Sequence, residues 1–276
     1  RCADIYRLIF KGDNMGYFSP AGYVAPAYYN QTGTGFLNSF TAGFLTTCGL
    51  TAAGSPCTDE GEVLPLHGTI GNTPCEQIRW DEDDENIYIH AVINDSGIFS
   101  RKLMLKRTVT CKKHINTFDI RDTIENLGDR QSPLMLLYHM NMGYPLLSEN
   151  AVLDIPSVSV KPRNQHAAKD LNTWHKILPP TPGFEEQCYF HSFRKQGKAS
   201  IYNPDIGKGL TISFDANKLD YFTQWKMMGC RDYVLGLEPG NCHPDGRDVM
   251  RREGTLKFIA PGESITYQVT VNLYEI

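Results

Sequence analysis

The sequence predicts an all-β protein, specifically a large antiparallel β-sandwich. Short runs rich in Val, Ile, Tyr, Phe and Thr recur along the chain, and Gly, Pro, Asn or Asp separates them at short intervals. Long amphipathic helices are missing. Because no linker-like segment divides the pattern, we expect one domain over residues 1–276. The chain opens on Arg1 within a strand-like run, so we also expect part of the native N-terminus to be absent.

Twelve runs account for most of the predicted strands, and in several of them apolar residues occupy every second position. Ile87, Ile89 and Ile93, for example, fall on one side of an extended chain. Residues 167–174 fit a helical turn or two at most, and the proline-rich residues 178–182 fit a stiff surface loop. The twelve runs are residues 3–10, 86–94, 103–111, 114–123, 134–141, 152–161, 187–193, 209–214, 221–226, 233–238, 254–259 and 264–274.

Composition narrows the function classes. The 276 residues are 41% apolar and 21% charged with a formal net charge of -4, which is ordinary for a soluble protein and offers no positive surface to nucleic acid. No window approaches the roughly eighteen apolar residues of a membrane span, and the N-terminal residues lack the apolar block of a secretion signal. We therefore expect a cytoplasmic protein without a nucleic-acid or membrane partner.

The eight cysteines are scattered along the chain without paired spacing. A disulfide-stapled scaffold would be smaller and denser in cysteine, and a zinc site would need cysteines about two to four residues apart. We expect reduced thiols and no metal site.

Glu238 is the first candidate catalytic residue, at the end of a strand-like run. Pro239 cannot donate to a sheet ladder and Gly240 favours turns, so we expect the chain to leave the sheet directly after the carboxylate. A carboxylate held at the rim of a sheet is placed for general base catalysis. The alternative is a strand-end glutamate that only faces solvent.

Residues 36–80 predict a long loop, because they are rich in Gly, Thr and Cys and lack periodicity. Ordered long loops in compact domains are usually functional. His67 precedes a glycine, which leaves room for a ligand against the backbone, but a buried histidine bonded to a carbonyl fits equally well. Asn72 and Arg79 follow, and each is either a ligand for a hydroxyl group or a turn residue or surface charge.

Residues 133–147 contain a nearly continuous run of Leu and Met that predicts a buried strand with His139 and Asn141 in its middle. Side chains alternate along a strand, so these two point to the same face. Buried polar groups need polar partners, and a ligand is one such partner. Histidine also titrates near neutrality, which suits a proton-transfer role.

Trp225 and Lys226 end another predicted strand. Trp225 offers a flat apolar surface for a sugar ring, with core packing as the alternative. Lys226 is either a ligand or a surface charge with a buried stem.

Together these motifs resemble the aldose 1-epimerase (galactose mutarotase) superfamily, and most closely a poorly characterised bacterial branch of it. Leu-His-Gly at 66–68, with Trp80 downstream, is similar to the family's leucine-histidine-glycine block. His139 falls where the family has its second histidine, and Leu-Glu-Pro at 237–239 where it has its glutamate. Glu186 falls where the family has a substrate-binding aspartate. The family's arginine-bearing segment ahead of the first histidine has no clear counterpart.

The resemblance implies the galactose mutarotase-like supersandwich with a sugar cleft on one sheet. It also implies interconversion of the α and β anomers of a free or modified aldose, without metal or cofactor. Glu238 would remove the proton from O1 while His139 delivers one to the ring oxygen, and the roles reverse on ring closure. His67 would hydrogen-bond the ring oxygen or a neighbouring hydroxyl. This scheme predicts a cationic His139 beside an ionised Glu238, and a rate that is flat across roughly pH 5 to 9 would count against it.

Two other functions stay open. A sugar isomerase or epimerase acting on carbon would use a similar cleft, would give Lys226 and the additional histidines a larger part, and would leave deuterium from the solvent on C1 or C2. A carbohydrate-binding protein would keep the pocket without turnover. The sequence identifies neither the sugar, phosphorylated or not, nor the oligomeric state.

Overall fold

The computed structural model describes residues 1–276 as twenty-two strands, most of them in two antiparallel sheets. Two short helices, α1 (Gln165–Ala168) and α2 (Arg247–Arg252), interrupt the strands. The strands are β1 (Ile9–Phe10), β2 (Asp13–Asn14), β3 (Tyr17–Phe18), β4 (Ala42–Gly43), β5 (Leu45–Leu50), β6 (Cys57–Asp59), β7 (Glu62–Leu64), β8 (Gln77–Glu82), β9 (Asn86–Ser96), β10 (Lys102–Lys112), β11 (Thr117–Asn126), β12 (Ser132–Pro133), β13 (Met135–Met142), β14 (Val152–Asp154), β15 (Ser159–Pro162), β16 (Gln187–Ser192), β17 (Gln196–Asn203), β18 (Lys208–Asp215), β19 (Tyr221–Met228), β20 (Tyr233–Gly240), β21 (Phe258–Ile259) and β22 (Ser264–Glu275). Short 3₁₀ turns lie at Pro26–Tyr28, Gly35–Asn38, Ile70–Asn72 and Leu171–Thr173.

The two large sheets share one apolar core. The eight-stranded sheet has the order β14-β17-β18-β22-β11-β10-β9-β8, and the six-stranded sheet has the order β15-β16-β19-β20-β13-β5. Ile93 and Ile120 from the larger sheet join Leu136 and Leu237 from the smaller one in a single buried cluster. On the other face of the smaller sheet, Phe36 from the long N-terminal loop belongs to a separate cluster. Strands β13 and β20 are buried along their whole length, which explains their continuous apolar runs.

The all-β prediction is confirmed, with differences in detail. Residues 152–161 are not one strand but β14 and β15, which belong to different sheets on either side of Pro156. Of residues 3–10 only Ile9–Phe10 is a strand. Sequence patterning gives no sign of β5, because its Leu-Thr-Thr-Cys-Gly-Leu run alternates no apolar residues, although the strand is entirely buried.

Strand β20 continues two residues beyond the end that the sequence predicts. Gly240 still pairs with Leu137 of β13. In the same ladder neither Glu238 nor Pro239 has a partner, so the missing N–H of the proline falls where no ladder bond is made. Glu238 consequently lies within the strand and not at its mouth, which makes its position more rigid than expected.

None of the helices is both long and apolar enough to cross a membrane.

Candidate functional site

A cleft of about 310 Å³ opens on the face of the six-stranded sheet that points away from the shared core. We call this hollow the cleft, and its polar floor is formed by His67, His139, Thr223 and Glu238. Three of these side chains stand in a row on neighbouring strands: Thr223 on β19 pairs with Glu238 on β20, and His139 follows on β13. The alternation of strand side chains gives all three the same face.

His67 reaches the floor from the long loop and is held there by its backbone. Its φ is 59°, a left-handed conformation that few residues other than glycine adopt. The His67 N–H donates to the Gly54 carbonyl at 2.8 Å, and its own carbonyl accepts from the Gly49 N–H at 3.1 Å. Such local strain is typical of functional sites, where the surrounding structure holds the residue in place.

The floor side chains lie close together without bonding to one another. His139 Nε2 is 3.3 Å from Glu238 Oε1, yet the angles give no hydrogen bond and Glu238 Oε1 has no partner in the protein. The His67 and His139 rings are 5.4 Å apart between centroids in an edge-to-face arrangement. An imidazole and a carboxylate that face each other at this distance can serve a substrate as an acid and a base.

Four buried polar atoms of the floor lack a hydrogen-bond partner: His67 Nδ1, His139 Nδ1, Thr223 Oγ1 and Glu238 Oε1. Buried polar atoms are nearly always paired in folded proteins, since an unpaired one costs about 1–3 kcal/mol. A cluster of unpaired atoms that lines one cleft indicates that a polar ligand completes it.

Burial shifts the pKa values of the titratable side chains on the floor of the cleft. It lowers the pKa of His139 to about 4, although Asn141 partly opposes this, and it lowers the pKa of His67 well below its ordinary value. Burial also raises the pKa of Glu238 well above its ordinary value; Glu186 adds to the rise. Burial therefore disfavours the charged forms of all three side chains, because isolated charges are poorly solvated inside the protein, and it works against the expected cationic His139 beside an ionised Glu238.

Apolar side chains form the wall of the cleft. Phe40 contacts His139 and Phe36 contacts His67, each with ring centroids 5.2 Å apart. Trp225 packs edge-on to His139, also at 5.2 Å. The arrangement of polar floor and aromatic wall suits a ligand with hydroxyls on its rim and apolar C–H faces, as a sugar ring has.

The rim of the cleft carries a cation whose charge is already paired. Arg163 Nε donates to Asp245 at 2.8 Å, and Arg163 Nη2 donates to the Ser55 hydroxyl and to the Pro244 carbonyl, both at 3.1 Å. On the other side, Trp225 Nε1 donates to Glu186 at 2.7 Å, which fixes the indole ring. The Arg163 charge lowers the pKa of Glu238, against the larger effect of burial.

A second, larger hollow of about 770 Å³ lies elsewhere on the molecule. Of the buried polar atoms that line it, only Arg101 Nε lacks a partner. Arg247 donates to Asp59 and Glu62, and the Asn126 amide donates to two backbone carbonyls. We therefore place the candidate site in the cleft. No group of three or more His, Cys, Asp or Glu side chains is arranged to hold a metal ion.

Five of the nine residues predicted from the sequence meet in the cleft. They are His67, His139, Glu186, Trp225 and Glu238.

Two of the other predicted residues are buried near the cleft but have structural partners. Asn72 Oδ1 accepts from Arg1 Nη2 at 2.6 Å and from the Ser39 hydroxyl at 3.3 Å, so it ties the N-terminus to the loop. The Asn141 amide donates to the His139 carbonyl at 2.9 Å and is fully buried beside that residue. Neither lines the cleft, although Asn72 Nδ2 and Asn141 Oδ1 are buried without a partner.

Arg79 and Lys226, both predicted as substrate-binding residues, lie away from the cleft. Arg79 is exposed on β8, the edge strand of the larger sheet, where it pairs with Asp81. Lys226 is only 2% exposed but stands next to Trp225 in sequence, so it points to the opposite face of β19. Burial lowers the pKa of Lys226, and the charge of Asp170 opposes this.

Sequence reasoning missed Thr223 and Arg163. The alternation rule would have found Thr223, because it lies two residues before Trp225 on the same strand and so shares its face. Arg163 follows β15 and reaches the cleft through long-range contacts with Ser55 and Asp245, for which the local sequence carries no signal.

The chain belongs to a family that a sequence model describes. The sequence model of the family described as "Domain of unknown function (DUF4432)" matches residues 1–273. No curated protein sequence matches this chain significantly.

Solved structures provide a more specific likeness. A protein from Klebsiella pneumoniae, described as a "putative aldose 1-epimerase", superimposes with a TM-score of 0.93 at 28% identity, over 100% of this chain and 75% of that chain. A galactose 1-epimerase from Lactobacillus acidophilus matches with a TM-score of 0.65 at 13% identity, over 99% and 89% of the two chains. A galactose mutarotase-like protein from Lactobacillus casei matches with a TM-score of 0.64 at 13% identity, over 99% and 95%. The fold is therefore the galactose mutarotase-like β-sandwich, as the sequence motifs predict.

Proposed function

Because this chain belongs to the DUF4432 family and has the galactose mutarotase-like fold, we propose that it is an aldose 1-epimerase that interconverts the α and β anomers of an aldose. The observation that carries the proposal is the facing pair of His139 Nε2 and Glu238 Oε1, 3.3 Å apart on the floor of a cleft that holds several unpaired polar atoms.

The reaction needs one base and one acid. Glu238 takes the proton of the O1 hydroxyl, the C1–O5 bond breaks, and O5 receives a proton from His139. The open aldehyde turns about its C1–C2 bond, and the two residues exchange roles as the ring closes on the other face of C1. Each such group typically contributes a factor on the order of 10² to 10⁴.

The pair performs this cycle with a single shared proton. In the empty cleft the proton is on Glu238, since burial raises the pKa of that carboxyl and lowers the pKa of His139 to about 4. Sugar hydroxyls restore hydrogen bonds to the floor when they bind, and Arg163 favours the ionised carboxylate, so the proton passes to His139. The active state is the pair with one proton, and its apparent pKa values belong to the pair and not to either residue.

The number of protons on the pair of His139 and Glu238 determines how the rate depends on pH. We expect the rate to fall on the acid side near pH 4, where the pair takes up a second proton, and on the alkaline side above the ordinary pKa of a glutamate, where the pair loses its only one. A rate that rises steadily with pH through both limbs would contradict the shared-proton pair.

The position of Lys226 favours this function over chemistry on carbon. The isomerase alternative gives Lys226 and the additional histidines a larger part, and the Lys226 side chain lies on the face of β19 opposite to Trp225. Mutarotation in deuterated solvent leaves no deuterium on carbon, so the absence of label at C1 and C2 is the expected result.

Anomeric exchange on a panel of free aldoses tests the proposal, with NMR exchange spectroscopy or polarimetry as the measurement. We expect the wild-type protein to accelerate exchange of at least one aldose. Glu238→Gln and His139→Asn should each lower kcat by a factor on the order of 10² to 10⁴. Arg79→Ala is the matched control, because Arg79 is exposed on the other sheet, and it should leave the rate unchanged.

Two results would overturn the proposal. One is a wild-type protein that accelerates exchange of no aldose in the panel. The other is acceleration that Glu238→Gln leaves intact. Binding of an aldose without acceleration would instead identify a carbohydrate-binding protein.

A further inference from the structure

Thr223 stands out among the buried threonines because its hydroxyl oxygen is itself buried and bonds to nothing in the protein. The residue is 1% exposed, and its Oγ1 has no hydrogen-bond partner. Three other threonines of similar burial all donate to a protein oxygen: Thr41 to the Gly22 carbonyl, Thr46 to the Ala42 carbonyl and Thr47 to Asp4.

A valine would fill the same space without this cost. Valine has almost the shape of threonine and is at least as common in strands, so neither packing nor strand formation requires the hydroxyl. An unpaired buried hydroxyl destabilises the fold. Its presence on the floor of the cleft indicates that its partner is the ligand.

The neighbour of Thr223 across the sheet identifies the ligand atom. Thr223 and Glu238 are directly paired on the antiparallel strands β19 and β20, which places their Cβ atoms about 4.5–5.5 Å apart on the same face. Glu238 Oε1 also lacks a partner. One hydroxyl between the two side chains donates its proton to the carboxylate and accepts a hydrogen bond from Thr223, so it satisfies both atoms at once.

We propose that Thr223 binds the anomeric hydroxyl, O1, of a reducing sugar and makes the site specific for sugars that carry a free hydroxyl at C1. The inference rests on the proposed function, in which Glu238 deprotonates O1. As the proton moves from O1 to Glu238, negative charge develops on O1 and the hydrogen bond from Thr223 becomes charge-assisted. Thr223 keeps its own proton throughout, and the electron pair of the C1–O5 bond moves to O5, which is protonated by His139.

The test pairs a sugar that has the O1 hydroxyl with one that lacks it. D-glucose and D-galactose are compared with their 1-deoxy analogues for binding, by calorimetry, to the wild-type protein and to Thr223→Val. We expect Thr223→Val to weaken binding of the free sugar by about 3- to 10-fold, the usual worth of one hydrogen bond, and to leave binding of the 1-deoxy analogue unchanged. Anomeric exchange should show a larger loss, in kcat, of about 10- to 100-fold, because the bond strengthens as charge develops.

Two further variants separate a binding role from a structural one. Thr223→Ser restores the hydroxyl and should recover most of both losses. Thr123→Val, on the larger sheet, removes a threonine hydroxyl that bonds only to Thr266 and should change neither binding nor exchange. Since the Thr223 hydroxyl has no partner in the protein, Thr223→Val should unfold at a temperature no lower than that of the wild type.

The outcomes distinguish this inference from the proposed function. Equal losses for the free sugar and its 1-deoxy analogue, or no loss for either, would overturn the role of Thr223 and leave the mutarotase proposal standing. The expected binding pattern without any acceleration of exchange would overturn the mutarotase proposal and leave the O1 contact. A wild-type protein that binds neither free sugar would overturn both.

Discussion

Both faces of strand β13 carry buried polar groups, but these groups differ in whether they have hydrogen-bond partners. On the core face, the Tyr138 hydroxyl donates to Asp122 at 2.9 Å, and Arg107 donates to the same carboxylate through Nε and Nη2 at 2.8 and 2.6 Å. Arg107 Nη1 also donates to Asp4 at 2.8 Å. On the cleft face, His139 Nδ1 has no partner.

The contrast teaches that the unpaired atoms of the cleft are not a failure of packing. The same chain pairs a buried guanidinium with two carboxylates beneath the opposite face of the strand, so the fold is able to satisfy polar groups at this depth. The core cluster, formed by Asp4, Arg107, Asp122 and Tyr138, holds the structure together. The floor of the cleft is left incomplete for a ligand. Substitutions in the core cluster should therefore lower the stability of the fold, whereas substitutions on the floor of the cleft should lower activity without lowering stability.

The largest expected effect is on the core face. Arg107→Met leaves two buried carboxylates without their cation, and breaking a buried pair in this way typically costs about 3–5 kcal/mol. We expect that loss in the free energy of unfolding, measured by urea denaturation. Lys106→Met is the matched control: Lys106 is next in sequence and pairs with Glu125 at the surface, so its loss should stay within about 0.5 kcal/mol. Similar values for the two variants would contradict the structural role of the core cluster.

The sequence predicts the polar residues of the cleft face better than those of the core face. His139 could be found because a histidine in a run of Leu and Met is unusual and local. The core cluster and Thr47, which bonds to it, come from several separate segments of the chain, and no local pattern announces such a meeting. The strand pattern therefore predicts the sandwich, while the partners of buried charges depend on tertiary contacts.

Within the cleft, too, local sequence patterns identify some residues and miss those that depend on tertiary contacts. Strand alternation, applied strictly to the segment that contains Trp225, places Thr223 on the same face as Trp225 and Lys226 on the opposite face. Threonine is too common in strands to attract notice by residue type. Arg163 is a different case, because only the folded chain brings it to Asp245 and Ser55. The protonation of the acid and base pair also depends on burial, which the sequence does not reveal.

The next effect concerns how the sheet makes room for the Glu238 carboxylate, the proposed catalytic base. A Cβ added at Gly236 would lie 2.2 Å from Glu238 Oε1 and 3.0 Å from Trp225 Cβ, so the glycine provides the space into which the carboxylate folds. We expect Gly236→Ala to displace Glu238 from His139 and to lower kcat by about 10- to 100-fold, as a misplacement near 1 Å does. Anomeric exchange measures the rate. An unchanged rate would show that the carboxylate works from another position.

Gly97→Ala provides the comparison for Gly236→Ala. Gly97 lies in the turn between β9 and β10, and a Cβ there would meet its nearest neighbour, Ser100 Cβ, at 3.4 Å, which is an ordinary contact. Gly97→Ala should therefore leave the exchange rate unchanged. The contrast isolates crowding of Glu238 from the general effect of adding a methyl group to the chain.

The smallest expected effect is a gain in stability from the cleft face. Burial raises the pKa of Glu238, so the folded state binds its proton more tightly than the unfolded state. The stability that this proton contributes is complete below the unfolded pKa and is lost as the pH rises through the folded pKa. Glutamine imitates the protonated carboxyl at every pH. Glu238→Gln should therefore match the wild type near pH 4 and unfold with a free energy about 0.5–2 kcal/mol higher at alkaline pH, although it removes the proposed catalytic base. Urea unfolding at both pH values measures the difference, and a variant that is less stable at alkaline pH would show that Glu238, like Arg107, is needed for the fold.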